Sequence, residues 1–384
     1  MKRIVMLLSN PFKPDPRVLK EANSLNKLGY SVSILCWDRQ LEMPPHALLE
    51  SGIEIIRIHN VPSSYGIGLG QLSRLPFFWA SLWKHLSRLN PDIVHCHDFD
   101  TLPSGLIWGK IHCVPVIYDA HEHYAELCKP RLHGRIGNTI YRIISILEHW
   151  GARLASGIIT VDHNLKEIFK RDNQNVIILG HNPQLEFISY YNPIFSRRHL
   201  NLIYAGRLAI DRGLLIYVQI LRHLKRFGIP ARLFLAGVFI PASDEESFYS
   251  KTNGLENEIE LLGWVPYEQM SSVLGSKDVG LVILEPVPRY INAVPVKLLE
   301  YMSAGLPVLA SNFPLIETIV HKENCGLLID PSASPRIAAE MIAQWWENPQ
   351  IARELGDNGR KAIIKRYNWD SQVEKLDSFY KHLT

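Results

Sequence analysis

Residues 4–36 read IVMLLSNPFKPDPRVLKEANSLNKLGYSVSILC, and this stretch decides the fold. The apolar run 4–8 is a buried strand. Asp15-Pro16 is a helix start, because an Asp side chain caps free N–H groups and proline at the first helical position gives up a donor that has no partner there. Val18, Ala22 and Leu25 then recur at helical spacing, Gly29 closes the helix, and residues 31–36 form a second strand. Two strands joined by a helix are parallel neighbours, and such units build α/β layers with helices on both faces of the sheet.

The same rhythm continues outward. Strands are expected at 53–58, 92–95, 114–118, 157–161 and 176–179, with helices at 72–89 and 138–154 and a Gly-rich loop at 63–70. Residues 181–198, rich in Pro, Asn and Tyr, interrupt the alternation and read as a linker. It then restarts, with strands at 202–205, 232–235, 259–262, 279–284, 308–310 and 327–329 and a helix at 214–227. From Ser334 the chain is helical, and Tyr367-Asn368-Trp369-Asp370 introduces a last helix. The expectation is two α/β halves with a cleft between them, ligands lying at the carboxyl ends of the strands.

Composition narrows the function classes. The 384 residues are 47% hydrophobic and 21% charged, normal for a folded globular protein. A net charge of +3 gives no general case for nucleic acid binding. Five cysteines without a CxxC pair suit a reducing compartment. The first residues, MKRIVMLLSNP, lead into Asn-Pro rather than a small-residue cleavage site, so they read as a core strand and not a leader. No apolar stretch approaches the roughly 18 residues of a membrane span. A cytoplasmic protein is expected, with peripheral contact at the inner face of a membrane.

Several segments carry chemistry. In residues 290–311, YINAVPVKLLEYMSAGLPVLAS, Pro295 suits the first turn of a helix, and Lys297 and Glu300 share a face. The helix start favours an anion, and Glu300 can accept hydrogen bonds from a diol; the same spacing also describes an ordinary surface Lys–Glu pair. Residues 206–213, GRLAIDRG, follow the first strand of the second half, and Arg207 and Arg212 suit bidentate phosphate contacts. There is no GxxxxGK[ST] loop for ATP hydrolysis. In the first half, YDAHEH (118–123) ends a strand with His121 at its mouth, and HCHD (95–98) offers His95 and His97 for a metal with Asp119 as partner. Aromatic and basic residues at 72–89 and 129–142 suit a bilayer interface or, equally, a core helix with a solvated face.

Taken together, these residues resemble the retaining nucleotide-sugar glycosyltransferases of family 4, which have the GT-B fold: two Rossmann-like parallel-sheet domains facing a central cleft, with the C-terminal helix crossing back to the first. The resemblance covers nearly the whole chain and is strongest in LIYAGRLAIDRG (202–213), residues 280–311 and GLLIDP (326–331), with YDAHE (118–122) and residues 15–32 similar to the family's first half. It implies domains at 1–185 and 199–366, a linker at 186–198 and a returning helix at 367–384. It implies transfer of a sugar from a nucleoside diphosphate sugar to a hydroxyl of a carbohydrate or lipid-linked acceptor, in cell-surface polysaccharide or glycolipid synthesis, without a metal or other cofactor. By the same resemblance Arg207 and Arg212 bind the diphosphate, Glu300 holds the ribose, and His121 lies beside the reacting sugar; Lys297, from its place at the helix start, adds charge to the donor site. The chain departs from the family at Asn292, where the E-x7-E pattern has glutamate, and at Asn10-Pro11-Phe12-Lys13-Pro14, where a Gly-Gly pair is usual. Asparagine still hydrogen-bonds hydroxyls but brings no charge. Two other readings stay open: a metal-dependent hydrolase using His95, His97 and Asp119, and a non-catalytic sugar-nucleotide-binding protein of the same fold.

Overall fold

A computed structural model describes residues 1–13, 15–63, 73–129, 132, 134–185 and 198–383. The chain forms two compact units, Met1–His181 with Gln372–Thr384, and Asn182–Ser371. The divisions fall at His181 and Gln372, against the expected 185 and 367. Most of the expected linker (186–197) and of the Gly-rich loop (64–70) lies outside the described residues. Where the chain passes from one unit to the other, its two segments are tied together: Trp369 N–H donates to Pro183 O (2.8 Å) and the Asn182 amide to Asn368 O (3.2 Å).

The first unit is built on strands β1 (Arg3–Leu8), β2 (Ser31–Trp37), β3 (His46–Leu48), β4 (Glu54–Ile58), β5 (Ile93–His97), β6 (Val116–Ala120), β7 (Gly157–Thr160) and β8 (Val176–Ile178), ordered β3-β4-β2-β1-β5-β6-β7-β8. All pairs are parallel except the edge pair β3–β4. The short β3 was not expected, because three residues with no apolar alternation give no strand signal. The opening βαβ forms as read. Asp15 caps the Pro16–Lys27 helix by accepting from Arg17 N–H (3.1 Å), and Val18, Ala22 and Leu25 are buried. Arg17 also pairs with the Asp15 carboxylate (2.8 Å). That pairing outweighs burial and lowers the Asp15 pKa to about 2.

The Leu75–Leu89 helix buries part of its aromatic side, leaving Phe77 65% exposed. Phe78, Leu82 and Leu86 are buried, and the Trp79 and Trp83 indoles donate to Asp100 O (2.8 Å) and Ser104 O (3.2 Å). Of the two segments proposed for a bilayer, this one is mainly core.

The second unit carries β9 (Leu200–Ala205), β10 (Ala231–Ala236), β11 (Ile259–Gly263), β12 (Val279–Val282), β13 (Val308–Ser311) and β14 (Gly326–Ile329), in the order β11-β10-β9-β12-β13-β14. Counted from its own first strand, that is the 3-2-1-4-5-6 order of dinucleotide-binding sheets. Its topological switch point lies between β9 and β12, where chain directions diverge and a crevice opens at the carboxyl ends. The Val296–Ser303 helix is too short to be stable alone. It is held by burial of Leu298, Leu299 and Met302, each worth about 1.5–3 kcal/mol. Pro295 is the residue before this helix, with extended ψ of 129°, and not part of its first turn. That is the conformation a cap needs.

Candidate functional site

At the switch point of the second unit, β9 runs into the turn Gly206–Gly213. Gly206 (φ +130°) leaves its side-chain position open: a Cβ there would lie 2.9 Å from Lys297 Nζ. Gly213 (φ +80°) packs against β12 so closely that a Cβ would stand 2.0 Å from Ile283 O. Gly213 is required by close approach to backbone, and Gly206 by its positive φ.

Lys297 is buried, not part of a surface pair. Its ammonium sits 3.7 Å from the centre of the Tyr204 ring and has no hydrogen-bond acceptor. Burial pushes its pKa well below the usual lysine range. The Arg212 charge adds to this, Glu300 opposes it, and Arg207 pushes it down further. Arg207, Arg212 and Glu300 are thus the charged neighbours of Lys297.

The two arginines share a tyrosine. Arg207 Nη2 donates to the Tyr290 hydroxyl (3.0 Å) and Arg212 Nε to the same hydroxyl (3.2 Å). Arg207 Nη2 also meets both Asp211 oxygens at 3.0 Å, and Arg289 forms an ion pair with that carboxylate. Asp211, Tyr290, Arg289 and Tyr204 were not singled out from the sequence. Asp211 and Tyr290 lie inside the quoted motifs, but nothing in their spacing reveals that one carboxylate pairs with both Arg207 and Arg289. Glu300 is half-buried on the helix face of Lys297, and Asn292 is exposed in the turn after the Pro288–Ile291 helix.

In the first unit, β5 and β6 bring their strand-end residues together, with His97 opposite Asp119 in register. Imidazole nitrogens of His97, His121 and His95 lie 2.8, 3.2 and 3.6 Å from Asp119 Oδ2. Burial opposes a charge on His121, but Asp119 outweighs it and raises the His121 pKa to about 9. Burial and the neighbouring His97 lower His95 to about 4. His121 Nδ1 is buried and without a partner. Glu21, on the Pro16–Lys27 helix, completes the cluster and was missed because nothing in sequence links it to residues on β5 and β6.

Two parallel-sheet units, one with cations gathered at its switch point, define a GT-B glycosyltransferase fold. Family models agree: residues 17–180 match "Glycosyltransferase Family 4" and residues 197–362 match "Glycosyl transferases group 1". The chain belongs to the family 4 glycosyltransferases. It is 22% identical over 320 residues to the UDP-Gal:alpha-D-GlcNAc-diphosphoundecaprenol alpha-1,3-galactosyltransferase of Escherichia coli, covering 78% of each chain. It is 20% identical to the alpha-D-kanosaminyltransferase of Streptomyces kanamyceticus over 47% of this chain, and spans 45% of that relative's length. The sucrose-phosphate synthase of Thermosynechococcus elongatus has the same fold, with a TM-score of 0.79 at 16% identity over 100% of this chain and 99% of that one. These matches favour a glycosyltransferase over the metal-dependent hydrolase considered from sequence, which leaves the second half without a role. Among the described residues, no helix is long and apolar enough to cross a membrane.

Proposed function

We propose that this chain transfers a glycosyl group from a nucleoside diphosphate sugar, specifically a uridine diphosphate sugar, to a hydroxyl of a lipid-linked or polysaccharide acceptor, retaining the anomeric configuration. The observation that carries the donor reading is Lys297, a buried ammonium without an acceptor beside Arg207 and Arg212. A buried cation is costly unless an anion joins it, and a diphosphate supplies that anion. The base and the acceptor class rest on the printed name of the E. coli relative.

In the reaction the bond from the anomeric carbon to the diphosphate oxygen breaks. A bond to the acceptor oxygen forms on the same face, and the acceptor proton leaves with the diphosphate. Arg207, Arg212 and Lys297 offset the charge that develops on the departing oxygens, the kind of preorganised stabilisation worth about 3–4 kcal/mol for a single donor. Glu300 accepts from the ribose hydroxyls. His121, held from behind by Asp119, offers Nδ1 to the sugar or phosphate. Asn292 can hydrogen-bond sugar hydroxyls without adding charge, which suits a role in donor choice. No metal enters this scheme.

The Gly134–Leu154 helix supports docking on the inner face of a membrane. Ile143, Ile146, Leu147, Trp150 and Leu154 follow helical spacing and are each at least half exposed, with Arg135 and Arg142 exposed on the same helix. Rings and aliphatic chains bury in the interface while cations meet anionic lipid.

The test is a thermal-shift panel of nucleoside diphosphates and their sugars on the purified chain. Stabilisation by uridine diphosphate above the other bases is expected, because binding to the folded state raises stability with affinity and concentration. No response to any nucleoside diphosphate defeats the reading.

A further inference from the structure

Behind His121 the first unit holds a second cluster of titratable groups, of which sugar transfer uses only Asp119. Ligand-type atoms of Glu21, His95, His97 and Asp119 all lie within 4.8 Å of one another. All four side chains are buried, from 0% exposed for His95 and Asp119 to 4% for Glu21. Glu21 Oε2, His95 Nε2, His97 Nε2 and both Asp119 oxygens have no hydrogen-bond partner. The three imidazoles approach one Asp119 oxygen closely, and His97 Nδ1 also meets His121 Nε2 at 3.3 Å. Nitrogen and oxygen atoms gathered this tightly, with Glu21 Oε2 and His95 Nε2 left without a hydrogen-bond partner, suit ligands around a common centre.

We propose that Glu21, His95, His97 and Asp119 form a closed site for one divalent transition-metal ion of the zinc class, inside the first unit and behind His121. Two imidazoles and two carboxylates make an N2O2 set of borderline hardness, suited to Zn(II) and to Co(II) as its spectroscopic substitute. Asp119 has the charged His121 beside it, whereas the buried Glu21 Oε2 has no hydrogen-bond partner, and a buried carboxylate is costly without a compensating cation. A single shared proton satisfies one oxygen; a divalent ion takes a ligand from all four residues at once. His95 is also oriented as metal-bound histidines are, by a bond on its other nitrogen: Nδ1 stands 2.6 Å from the Tyr380 hydroxyl on the C-terminal helix. The four ligands come from the Pro16–Lys27 helix, β5 and β6, so the ion would tie these elements together and fix Asp119 behind His121. With four protein ligands and no exposure, the site is structural in type, unlike a catalytic site, which keeps a position open.

The experiment uses the full chain and metal alone as probe. The protein is stripped with a chelator, incubated with Zn(II) or Co(II), desalted, and measured for metal content by mass spectrometry, visible absorption and Tm. About one ion per chain, visible d–d bands with Co(II), and a Tm at least about 5 °C higher in the metal form are expected. Glu21→Gln and His95→Asn should lose the Co(II) bands. Should either variant fail to fold, the wild-type stripping and reloading decides alone. A stripped wild-type chain that takes up no metal, with Tm unchanged by either ion, overturns the proposal and assigns the cluster to a shared proton. So does metal that binds equally well to folded Glu21→Gln and His95→Asn.

Discussion

Lys297 Nζ lies 3.7 Å from the centre of the Tyr204 ring, its charge resting on an aromatic face with no carboxylate or carbonyl to receive it. A cation held this way is poised for an anionic ligand and destabilises the empty fold. Lys297→Met is therefore expected to leave Tm equal or higher while weakening uridine diphosphate binding about 10- to 100-fold, or about 1.4–3 kcal/mol. Calorimetric titration beside a melting curve checks both halves; unchanged affinity would remove Lys297 from the site.

Its depressed pKa gives a pH signature. A lysine with a folded-state pKa below its unfolded value binds fewer protons in the fold across that interval. Its contribution to stability therefore rises as pH climbs from the folded value to the ordinary lysine range, and is unfavourable below it. An anion bound beside it raises the folded value, so nucleotide binding should take up protons. Titrations in two buffers of different ionisation enthalpy measure that uptake, and Lys297→Met should abolish it.

Asp211 accepts from Arg207 at 3.0 Å through both oxygens and forms a pair with Arg289. It supplies in the empty protein the negative charge that a diphosphate brings. Asp211→Asn keeps the shape and a hydrogen-bonding group but removes the charge. Affinity for uridine diphosphate should rise about threefold or more at low salt, and the gain should shrink as salt screens it. Weaker binding in Asp211→Asn at every ionic strength would instead make Asp211 a positioning group for Arg207.

Arg207→Ala and Glu300→Ala should each cut transfer by about a hundredfold or more in a purified assay, with circular dichroism unchanged. In the proposed reaction Arg207 acts on the diphosphate and Glu300 on the ribose, so Arg207→Ala should lower kcat and Glu300→Ala should mainly raise the donor KM. Full activity in either variant contradicts the assignment.

Ile146 and Trp150 are 65% and 60% exposed, so Ile146→Glu and Trp150→Glu should leave Tm unchanged. Each should reduce binding to vesicles containing anionic lipid about tenfold, because an apolar contact worth about 1–2 kcal/mol is replaced by a charge of the lipid's own sign. Co-sedimentation with anionic and neutral vesicles separates this from non-specific adhesion.

Much of the fold is legible from residues 4–36 and from its repetition along the chain. Strand and helix periodicities are local, proline and glycine punctuate them, and βαβ units allow essentially one handed arrangement. The resemblance at residues 202–213 and 280–311 likewise pointed to Arg207, Arg212, Lys297 and Glu300 by position alone. Sequence also offered both aromatic segments as membrane contacts and could not rank them. In the structure the Trp79 and Trp83 indoles bond backbone carbonyls, while the exposed Trp150 lies beyond the 129–142 segment on the same Gly134–Leu154 helix.

What sequence by itself determined is therefore the alternation of elements, the class and the cationic residues, all set by local pattern or by short motifs. Only the tertiary structure decided that Lys297 is buried rather than on the surface, that Tyr290 joins Arg207 and Arg212, and that Asp211 pairs with Arg207 and Arg289. It alone brought Glu21 to His95, His97 and Asp119. The physical reason is distance along the chain. Charge pairing, desolvation and ligand geometry depend on atoms a few ångströms apart that lie tens of residues apart in sequence, and no local periodicity encodes them.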